Sequence, residues 1–269
     1  MTLREALLRG RRRPRNLGAG SPTVYRGDGY EFVELRSYVP GDDVRRIDWA
    51  ATARSGELQT RVILEDVALT LAVIVDESPS MRVGRRRPLC DAAREALETW
   101  FGAAAADDRC IRVGSSGITP AGLQKSAHAA ARASVSPQNV FDARRALLTA
   151  RAALSRGSAL LAIGDWYDLD GSFDELLAQL GMRYDCTALI ARDPWYEGLS
   201  LGGIVRIRGA EGGGARVYVG SRERKAYAEA VRGREAGVCR RFERANWRTG
   251  VLHESDGVAS LEAAFGVRG

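Results

Sequence analysis

Three short apolar segments, each ending in an aspartate, constrain the fold of this chain more than any other feature. They are LTLAVIVD, SALLAIGD and YDCTALIARD, which end at Asp76, Asp165 and Asp193. Continuous apolar runs of this length are typical of strands that are buried on both faces of a parallel sheet. Helical patterns follow these segments, as in RPLCDAAREALETWFGAAAAD (87–107). This alternation predicts a right-handed, mostly parallel α/β sheet with helices on both of its faces.

The C-terminal part of the chain carries further elements. The stretch GIVRIRGAEGGGARVYVG (203–220) predicts a hairpin around its three glycines. It is followed by a long, charged helical pattern (222–246). TGVLHES (249–255) is a candidate edge strand, and a short helix is expected after it. Earlier in the chain, RCIRVGSS (109–116) is a strand candidate that is expected to pair with the segment after it.

The basic character of the chain is concentrated at its N-terminus. The formal net charge is +6, and residues 1–26 alone hold seven arginines against one glutamate. We therefore expect a basic N-terminal arm (1–23), then a block (24–66) packed on the core, then an α/β domain (67–269) with a C-terminal hairpin and helices. A run of like charges is usually a solvated, partly disordered arm. The alternative is that this arm contacts an acidic lipid, nucleic-acid or protein surface.

The composition also indicates the cellular compartment of the protein. No apolar run approaches the roughly 20 residues of a membrane span, and no signal-peptide pattern opens the chain. We expect a soluble, cytoplasmic protein without a membrane span. The four cysteines lie far apart without a CxxC pair, and the chain has two histidines. Buried free thiols are therefore expected rather than a zinc site or a disulfide framework.

A candidate metal site follows the first apolar strand. In the segment DESPS, Asp76, Ser78 and Ser80 place an acid and two hydroxyls at every second position, and Asp165 ends another strand. In open α/β sheets, ligands bind at the carboxyl ends of the strands. Two carboxylates and two hydroxyls, with waters, form an octahedral oxygen site that suits Mg²⁺ or Mn²⁺. The alternative interpretation is that Ser78 or Ser80 is a helix N-cap.

These residues resemble a known arrangement, the metal-ion-dependent adhesion site of von Willebrand factor A domains. The block FVELRSYVPGDDVRRIDWAATARSGELQTR, the segment VDESPSM and the later RDPWYEGLSLGG resemble the domain of unknown function 58 family, which carries such a domain. The resemblance implies a mostly parallel, doubly wound sheet of von Willebrand factor A type with an N-terminal extension. It also implies Asp76, Ser78 and Ser80 as metal ligands of the first loop, and Asp165 as the acid of a later loop.

The sequence departs from that pattern in one place. In such domains a threonine from an intermediate loop usually completes the ligand set. The corresponding region here reads SVSPQNVFDARRAL and has no threonine at the expected position. Asn139 or Ser136 stands in for it, or this ligand is missing.

The sequence shows neither a nucleophile–base pair nor a cofactor fingerprint. A metal ion without a general base favours recognition, in which an acidic residue of a partner supplies the last oxygen. We therefore expect a non-catalytic protein-interaction module, and the resemblance implies a MoxR-type AAA+ ATPase, or its client, as the partner. The alternative is a metal-dependent phosphohydrolase that uses Asp76 and Asp165 to hold the ion. That alternative expects a nucleophilic acid two residues after Asp76, where this chain has Ser78.

Two arginine-containing stretches carry further expectations. In GDDVRRIDWAATAR (41–54), the aspartates and arginines are expected to pair with one another around Trp49 in the core. Four arginines follow the candidate metal loop and predict a cationic rim that favours an acidic partner: Arg82, Arg85, Arg86 and Arg87.

Overall fold

The structure, a computed structural model, describes residues 2–12, 31–40, 42, 44–64, 69–123, 127, 141–210 and 212–267. These residues belong to two compact units. One unit comprises Met1–Arg11 together with Leu69–Gly269, and the other comprises Arg12–Ala68.

The helices and strands are numbered here in chain order. The helices are α1 Leu3–Arg12, α2 Trp49–Ser55, α3 Leu89–Gly102, α4 Ala143–Ala153, α5 Asp174–Arg183, α6 Ser221–Arg244 and α7 Gly257–Ala264. The strands are β1 Glu31–Ser37, β2 Gln59–Leu64, β3 Thr70–Val75, β4 Arg109–Gly114, β5 Gly117–Gly122, β6 Ala159–Gly164, β7 Asp185–Ala191, β8 Gly203–Arg208, β9 Gly214–Val219 and β10 Arg248–Leu252. Short 3-10 turns occur at Val44–Arg46, Pro79–Arg82 and Gly171–Phe173.

The larger unit is built on a six-stranded sheet with the spatial order β10-β7-β6-β3-β4-β5. Neighbouring strands from β10 to β4 are parallel, and β5 alone runs antiparallel, as the return strand of a hairpin with β4. The predicted mixed α/β fold with a mostly parallel central sheet is confirmed. β10 lies at the edge of the sheet, as its sequence predicts, and the β8–β9 hairpin and the long helix α6 are also present.

Both faces of this sheet are covered by helices. On β3, Leu71, Val73 and Val75 pack with residues of α1, α3 and α7, and they are at most 5% exposed. Ala72 and Ile74 point the opposite way and pack with residues of α4, α5 and α6. Since side chains alternate along a strand, a strand with a core on each side must be apolar at every position.

The beginning of the basic segment is part of this unit. Residues 3–12 form α1, and Leu3, Ala6 and Leu7 are buried in the core. Arg4 forms an ion pair with the buried Asp108. The expectation of a solvated arm is therefore wrong for this helix, because its apolar positions recur on one face and pack against the sheet domain. Residues 13–30 lie outside the described residues.

The smaller unit contains an antiparallel pair of strands, β1 and β2, with a register shift between Phe32 and Glu34. Asp48 caps α2 by accepting a hydrogen bond of 2.9 Å from the main-chain N–H of Ala51. Asp42 forms an ion pair of 2.7 Å with Arg36, which is not one of the arginines expected to pair with it. Asp43 lies outside the described residues. The packing of this block on the other unit stays a prediction.

Trp49 is not in the core. It is 67% exposed, whereas Ala51 on the same helix is 6% exposed. Residues that are two positions apart in a helix lie about 200° apart around its axis. A helix that buries Ala51 therefore turns Trp49 outward. The prediction failed because it rested on residue type and did not consider the helix face.

The cysteines agree with the expectation of free thiols. All four cysteines are free thiols; Cys90, Cys110 and Cys186 are buried and Cys239 is half-buried. Within the described residues, no helix combines the length and the apolar character that a membrane crossing requires.

Candidate functional site

The structure brings Asp76 and Asp165 together at one edge of the sheet. They follow β3 and β6, which are parallel neighbours with Val75 opposite Ile163. The main-chain N–H of Asp76 donates a hydrogen bond of 2.8 Å to the carbonyl of Ile163. Asp165 lies close enough for its charge to act on the Asp76 carboxylate. Both acids therefore lie at the carboxyl end of the sheet, where ligands of such folds bind.

A glycine makes this close approach of the two loops possible. A Cβ placed on Gly164 would lie 2.8 Å from the Cβ of Asp76 and 3.2 Å from its Oδ2. Any other residue at this position would push the Asp76 side chain away. Gly164 is not among the predicted site residues, although the pair Gly164-Asp165 at the end of an apolar strand is a signal for it in the sequence.

The first loop directs its polar groups toward one another. Oδ1 of Asp76 accepts a hydrogen bond of 2.8 Å from the main-chain N–H of Ser78. The Ser78 side chain lies near the Asp76 carboxylate, and its Oγ lies 2.7 Å from the Oγ of Ser80. Ser78 precedes the Pro79–Arg82 turn but makes no capping hydrogen bond with its side chain. Ser78 thus occupies the N-cap position of this turn, as the alternative interpretation expects, but its hydroxyl lies against Ser80 and does not cap the turn.

The electrostatic state of Asp76 is unusual for a carboxylate. Asp76 is buried, with only 4% of the residue exposed to solvent. Burial raises the pKa of Asp76 above its ordinary value, the hydrogen bond from the Ser78 side chain lowers it, and the charge of the nearby Asp165 raises it again. The largest contributions to this pKa come from burial, Ser78 and Asp165, and none of these is a basic side chain. A cation at this position would supply the missing positive charge.

The donor set fits Mg²⁺ or Mn²⁺. Carboxylate and hydroxyl oxygens are the hard ligands that these ions prefer, and neighbouring ligands of an octahedral Mg²⁺ lie about 3.0 Å apart. The 2.7 Å between the Ser78 and Ser80 hydroxyls is close to that separation. Across the described residues, no three His, Cys, Asp or Glu side chains form a group that could hold a metal. Asn139 and Ser136 lie outside the described residues.

The loop that carries Asp165 is held by α6. Oδ1 of Asp165 accepts a hydrogen bond of 3.0 Å from the main-chain N–H of Tyr167. Between them, Trp166 is buried and has a φ of 53°, a left-handed conformation that is rare for a bulky residue. Arg234 donates a hydrogen bond to the main-chain carbonyl of Asp165, and its guanidinium lies 3.8 Å from the ring centroid of Tyr167. No local sequence pattern predicts the role of Arg234, because it lies 69 residues further along the chain.

Comparison with known proteins identifies the family. The family described as "Protein of unknown function DUF58" matches residues 34–237, which is more than half of the chain. This chain belongs to the DUF58 family. The match includes Asp76, Ser78, Ser80 and Asp165, and it also extends into α6 as far as Arg234 and three residues beyond.

Curated relatives from mycobacteria match part of this chain. Uncharacterized protein Rv1480 of Mycobacterium tuberculosis (strain ATCC 25618 / H37Rv) is 43% identical over 75 residues, which are 26% of this chain and 24% of that protein. Uncharacterized protein Mb1516 of Mycobacterium bovis matches to the same extent. The alignment thus spans about a quarter of the length of these relatives.

Two solved structures show a distant similarity. The conserved hypothetical protein BatB from Bacteroides thetaiotaomicron has 14% sequence identity and a TM-score of 0.46, and the match covers 71% of this chain and 95% of that one. An aerotolerance-related membrane protein from Bacteroides fragilis has 14% identity and a TM-score of 0.39, with 66% and 100% of the two chains covered.

In this DUF58 chain, the arginines after the first loop form only part of the predicted rim. Arg87 forms hydrogen bonds with both carboxylate oxygens of Glu95, one of them at 2.7 Å. The main-chain N–H groups of Arg85 and Arg86 donate to the carboxylate of Glu254, at 2.6 and 3.0 Å. Arg82, Arg85 and Arg86 are exposed to solvent. Arg87 is therefore a structural residue, and the other three remain candidates for contact with a partner.

The third strand-end acid, Asp193, has a different role. Its Oδ2 accepts a hydrogen bond of 2.7 Å from the hydroxyl of Tyr227, and its Oδ1 accepts one of 2.8 Å from the main-chain N–H of Trp195. Burial, followed by this hydrogen bond, raises the pKa of Tyr227. Asp193 thus fixes the loop after β7 against α6, and both of its oxygens are engaged by the protein.

Proposed function

We propose that this DUF58 chain is a metal-ion-dependent protein-interaction module of von Willebrand factor A type. In this proposal, Asp76, Ser78, Ser80 and Asp165 hold Mg²⁺ or Mn²⁺, and Asn139 is a candidate further ligand. An acidic side chain of a partner protein completes the coordination. The observation that carries the proposal is the buried carboxylate of Asp76, which has a raised pKa, faces a second acid and adjoins two hydroxyls.

The charges support recognition of an acid in particular. Two carboxylates balance the charge of a divalent cation. The serine hydroxyls contribute no charge and are weak electron-pair donors to the metal. An ion held in this way remains a good acceptor for one more anionic oxygen. When bound, the ion would supply the charge that attracts the partner's oxygen. The chain's own residues would orient the ion and keep Asp165 beside Asp76.

The proposed partner follows from the family resemblance. DUF58-like sequences suggest a MoxR-type AAA+ ATPase, or a client that such an ATPase remodels, and we place this interaction in the cytoplasm. A non-catalytic role is part of the proposal.

Binding to a purified MoxR-type ATPase from the same genome tests the proposal. Biolayer interferometry would compare binding in Mg²⁺ and in EDTA, for the wild type and for Asp76→Asn. Asp168→Asn is the matched control, since Asp168 is an exposed acid in the loop after β6 and is not a predicted ligand. We expect binding to require Mg²⁺, to be lost in Asp76→Asn and to persist in Asp168→Asn.

Two outcomes would contradict the proposal. Binding that survives both EDTA and Asp76→Asn would rule out a metal bridge. Mg²⁺-dependent hydrolysis of p-nitrophenyl phosphate by the wild type, lost in Asp76→Asn, would favour a phosphohydrolase instead.

A further inference from the structure

The β8–β9 hairpin has one face that the proposed metal site does not explain. The two strands pair antiparallel, with Ile204 opposite Tyr218, Arg206 opposite Arg216 and Arg208 opposite Gly214. Because side chains alternate along each strand, the residues of these three pairs lie on the same face of the ribbon. We call this surface the arginine face; it consists of Ile204, Arg206, Arg208, Arg216 and Tyr218.

The arginine face concentrates positive charge on three neighbouring side chains. Arg206 and Arg216 are directly opposite one another, and like charges in that position destabilise a sheet. Arg208 lies two residues beyond Arg206 on the same strand and is also exposed. In the described residues, none of the three forms an ion pair with an acid, and Glu211 lies outside those residues. The protein thus maintains an unfavourable cluster that an anionic partner would neutralise.

The shape of the face also suits a ligand. A cavity of about 320 Å³ opens on the hairpin and is lined by the three arginines together with Gly213, Gly214 and Ala215. The two glycines leave the floor without side chains, so a carboxylate can approach both the guanidinium groups and the main chain. Arginine binds carboxylates through two parallel hydrogen bonds, which favours a ligand of this geometry.

The apolar residues of the face indicate the class of partner. Ile204 is 78% exposed and Tyr218 is 68% exposed, and they form the pair next to the arginines. Tyrosine and arginine are enriched in protein–protein interfaces, and an aliphatic side chain gains nothing from the phosphate backbone of a nucleic acid. In addition, among the described residues β8 and β9 pair only with each other, and an edge strand of this kind can accept an extended chain by strand addition.

We propose that the arginine face of the β8–β9 hairpin is the docking surface for an extended, acidic segment of a partner protein. Acids at every second position of that segment would all face the arginines, because strand side chains alternate with a period of two. The site uses none of the proposed metal ligands. The proposal of this docking surface is therefore independent of the proposed metal-dependent function.

A direct test uses fluorescence anisotropy with a labelled peptide of four Thr-Glu repeats, and with the Thr-Gln peptide as the uncharged probe. The key variant is Arg206→Gln with Arg216→Gln. The control is Arg156→Gln with Arg240→Gln, which removes the same charge from exposed residues elsewhere. We expect saturable binding of the Thr-Glu peptide alone, in EDTA as well as in Mg²⁺. Two lost exposed ion pairs should weaken it about tenfold in the key variant, while the control binds as the wild type does.

The fold of the key variant is checked by its thermal midpoint, which should equal or exceed that of the wild type because the repulsion between the two arginines is removed. Several results would overturn the proposal: no saturable binding of the Thr-Glu peptide, or an equal loss in the control variant. It would also be overturned if a single-stranded oligonucleotide, or vesicles of anionic phospholipid, bound more tightly than the peptide and lost that binding in the key variant.

Discussion

A Cβ placed on Gly164 would lie 2.8 Å from the Cβ of Asp76, so the last residue of β6 and the acid after β3 leave no room for a side chain between them. This contact joins the two loops of the candidate site. It explains why a glycine precedes Asp165, and it makes the position of Asp76 sensitive to a single methyl group.

Gly164→Ala should therefore destabilise the chain, by about 2 kcal/mol, because the added methyl overpacks a buried site. Thermal or denaturant unfolding measures this change. Gly233→Ala is the matched control, since Gly233 lies within α6 with nothing inside 4 Å of the added Cβ. That substitution should raise stability by about 0.5–1 kcal/mol, because alanine is the better helix residue. Equal effects of the two substitutions would contradict the contact.

Asp76→Asn should stabilise the chain in the absence of divalent metal. Burial raises the folded-state pKa of Asp76, so the folded protein retains this proton more strongly than the unfolded chain does. Stability of the wild type therefore falls as the pH rises from the unfolded pKa of about 3.9 through the raised folded value. Asparagine has no such ionisation and keeps an acceptor oxygen for Ser78. We expect a thermal midpoint a few degrees above that of the wild type at pH 7 in EDTA.

This gain should shrink toward zero as the pH falls below 4, where Asp76 is protonated in both states. A thermal midpoint of Asp76→Asn that lies below that of the wild type at pH 7 in EDTA would show that Asp76 is compensated by a partner that we have not identified.

Arg234→Ala should loosen the Asp165 loop without unfolding the domain. The substitution removes the hydrogen bond to the Asp165 carbonyl and the guanidinium that stacks on Tyr167. Hydrogen exchange of the peptide spanning residues 165–170 should become roughly tenfold faster, which corresponds to a loss of about 1.4 kcal/mol of local stability. Arg240→Ala, an exposed arginine of the same helix, should leave the exchange unchanged. Unaltered exchange in Arg234→Ala would mean that the loop is held by other contacts.

Cys110 should be almost inert toward alkylation in the folded chain. Burial, with a smaller contribution from Asp108, raises its pKa to about 12. Since the thiolate is the nucleophile, only about one thiol in 10⁴ is ionised at pH 8. In a time course with iodoacetamide, the half-buried Cys239 should react first, and unfolding in guanidinium should make all four react at similar rates. Early modification of Cys110 would indicate that β4 opens in the native state.

The sheet was predictable because burial on two faces forces a continuous apolar run, as in the segment from Leu69 to Val75. The positions of Asp76 and Asp165 follow from the same logic, since parallel strands end at one edge. Trp49 shows the limit of this reasoning, because the residue type favours burial while the helix face decides against it.

The supports of the site could not be predicted in the same way. Arg234 acts across 69 residues of sequence, so no local pattern connects it to Asp165. Glu77 of the first loop forms an ion pair of 2.8 Å with Arg112. This pair likewise depends on the strand order, which places β4 next to β3.

Direct measurement of metal binding tests the central claim. Mn²⁺ titration followed by electron paramagnetic resonance would compare the wild type with Asp76→Asn, Ser80→Ala and the Asp168→Asn control. We predict one Mn²⁺ per chain in the wild type and in the control, with affinity at least tenfold weaker in the other two variants. At a metal concentration of ten times the Kd, binding should also stabilise the wild type by about 1.4 kcal/mol. A wild type that binds no Mn²⁺, or an Asp76→Asn variant that binds it equally well, would contradict the account.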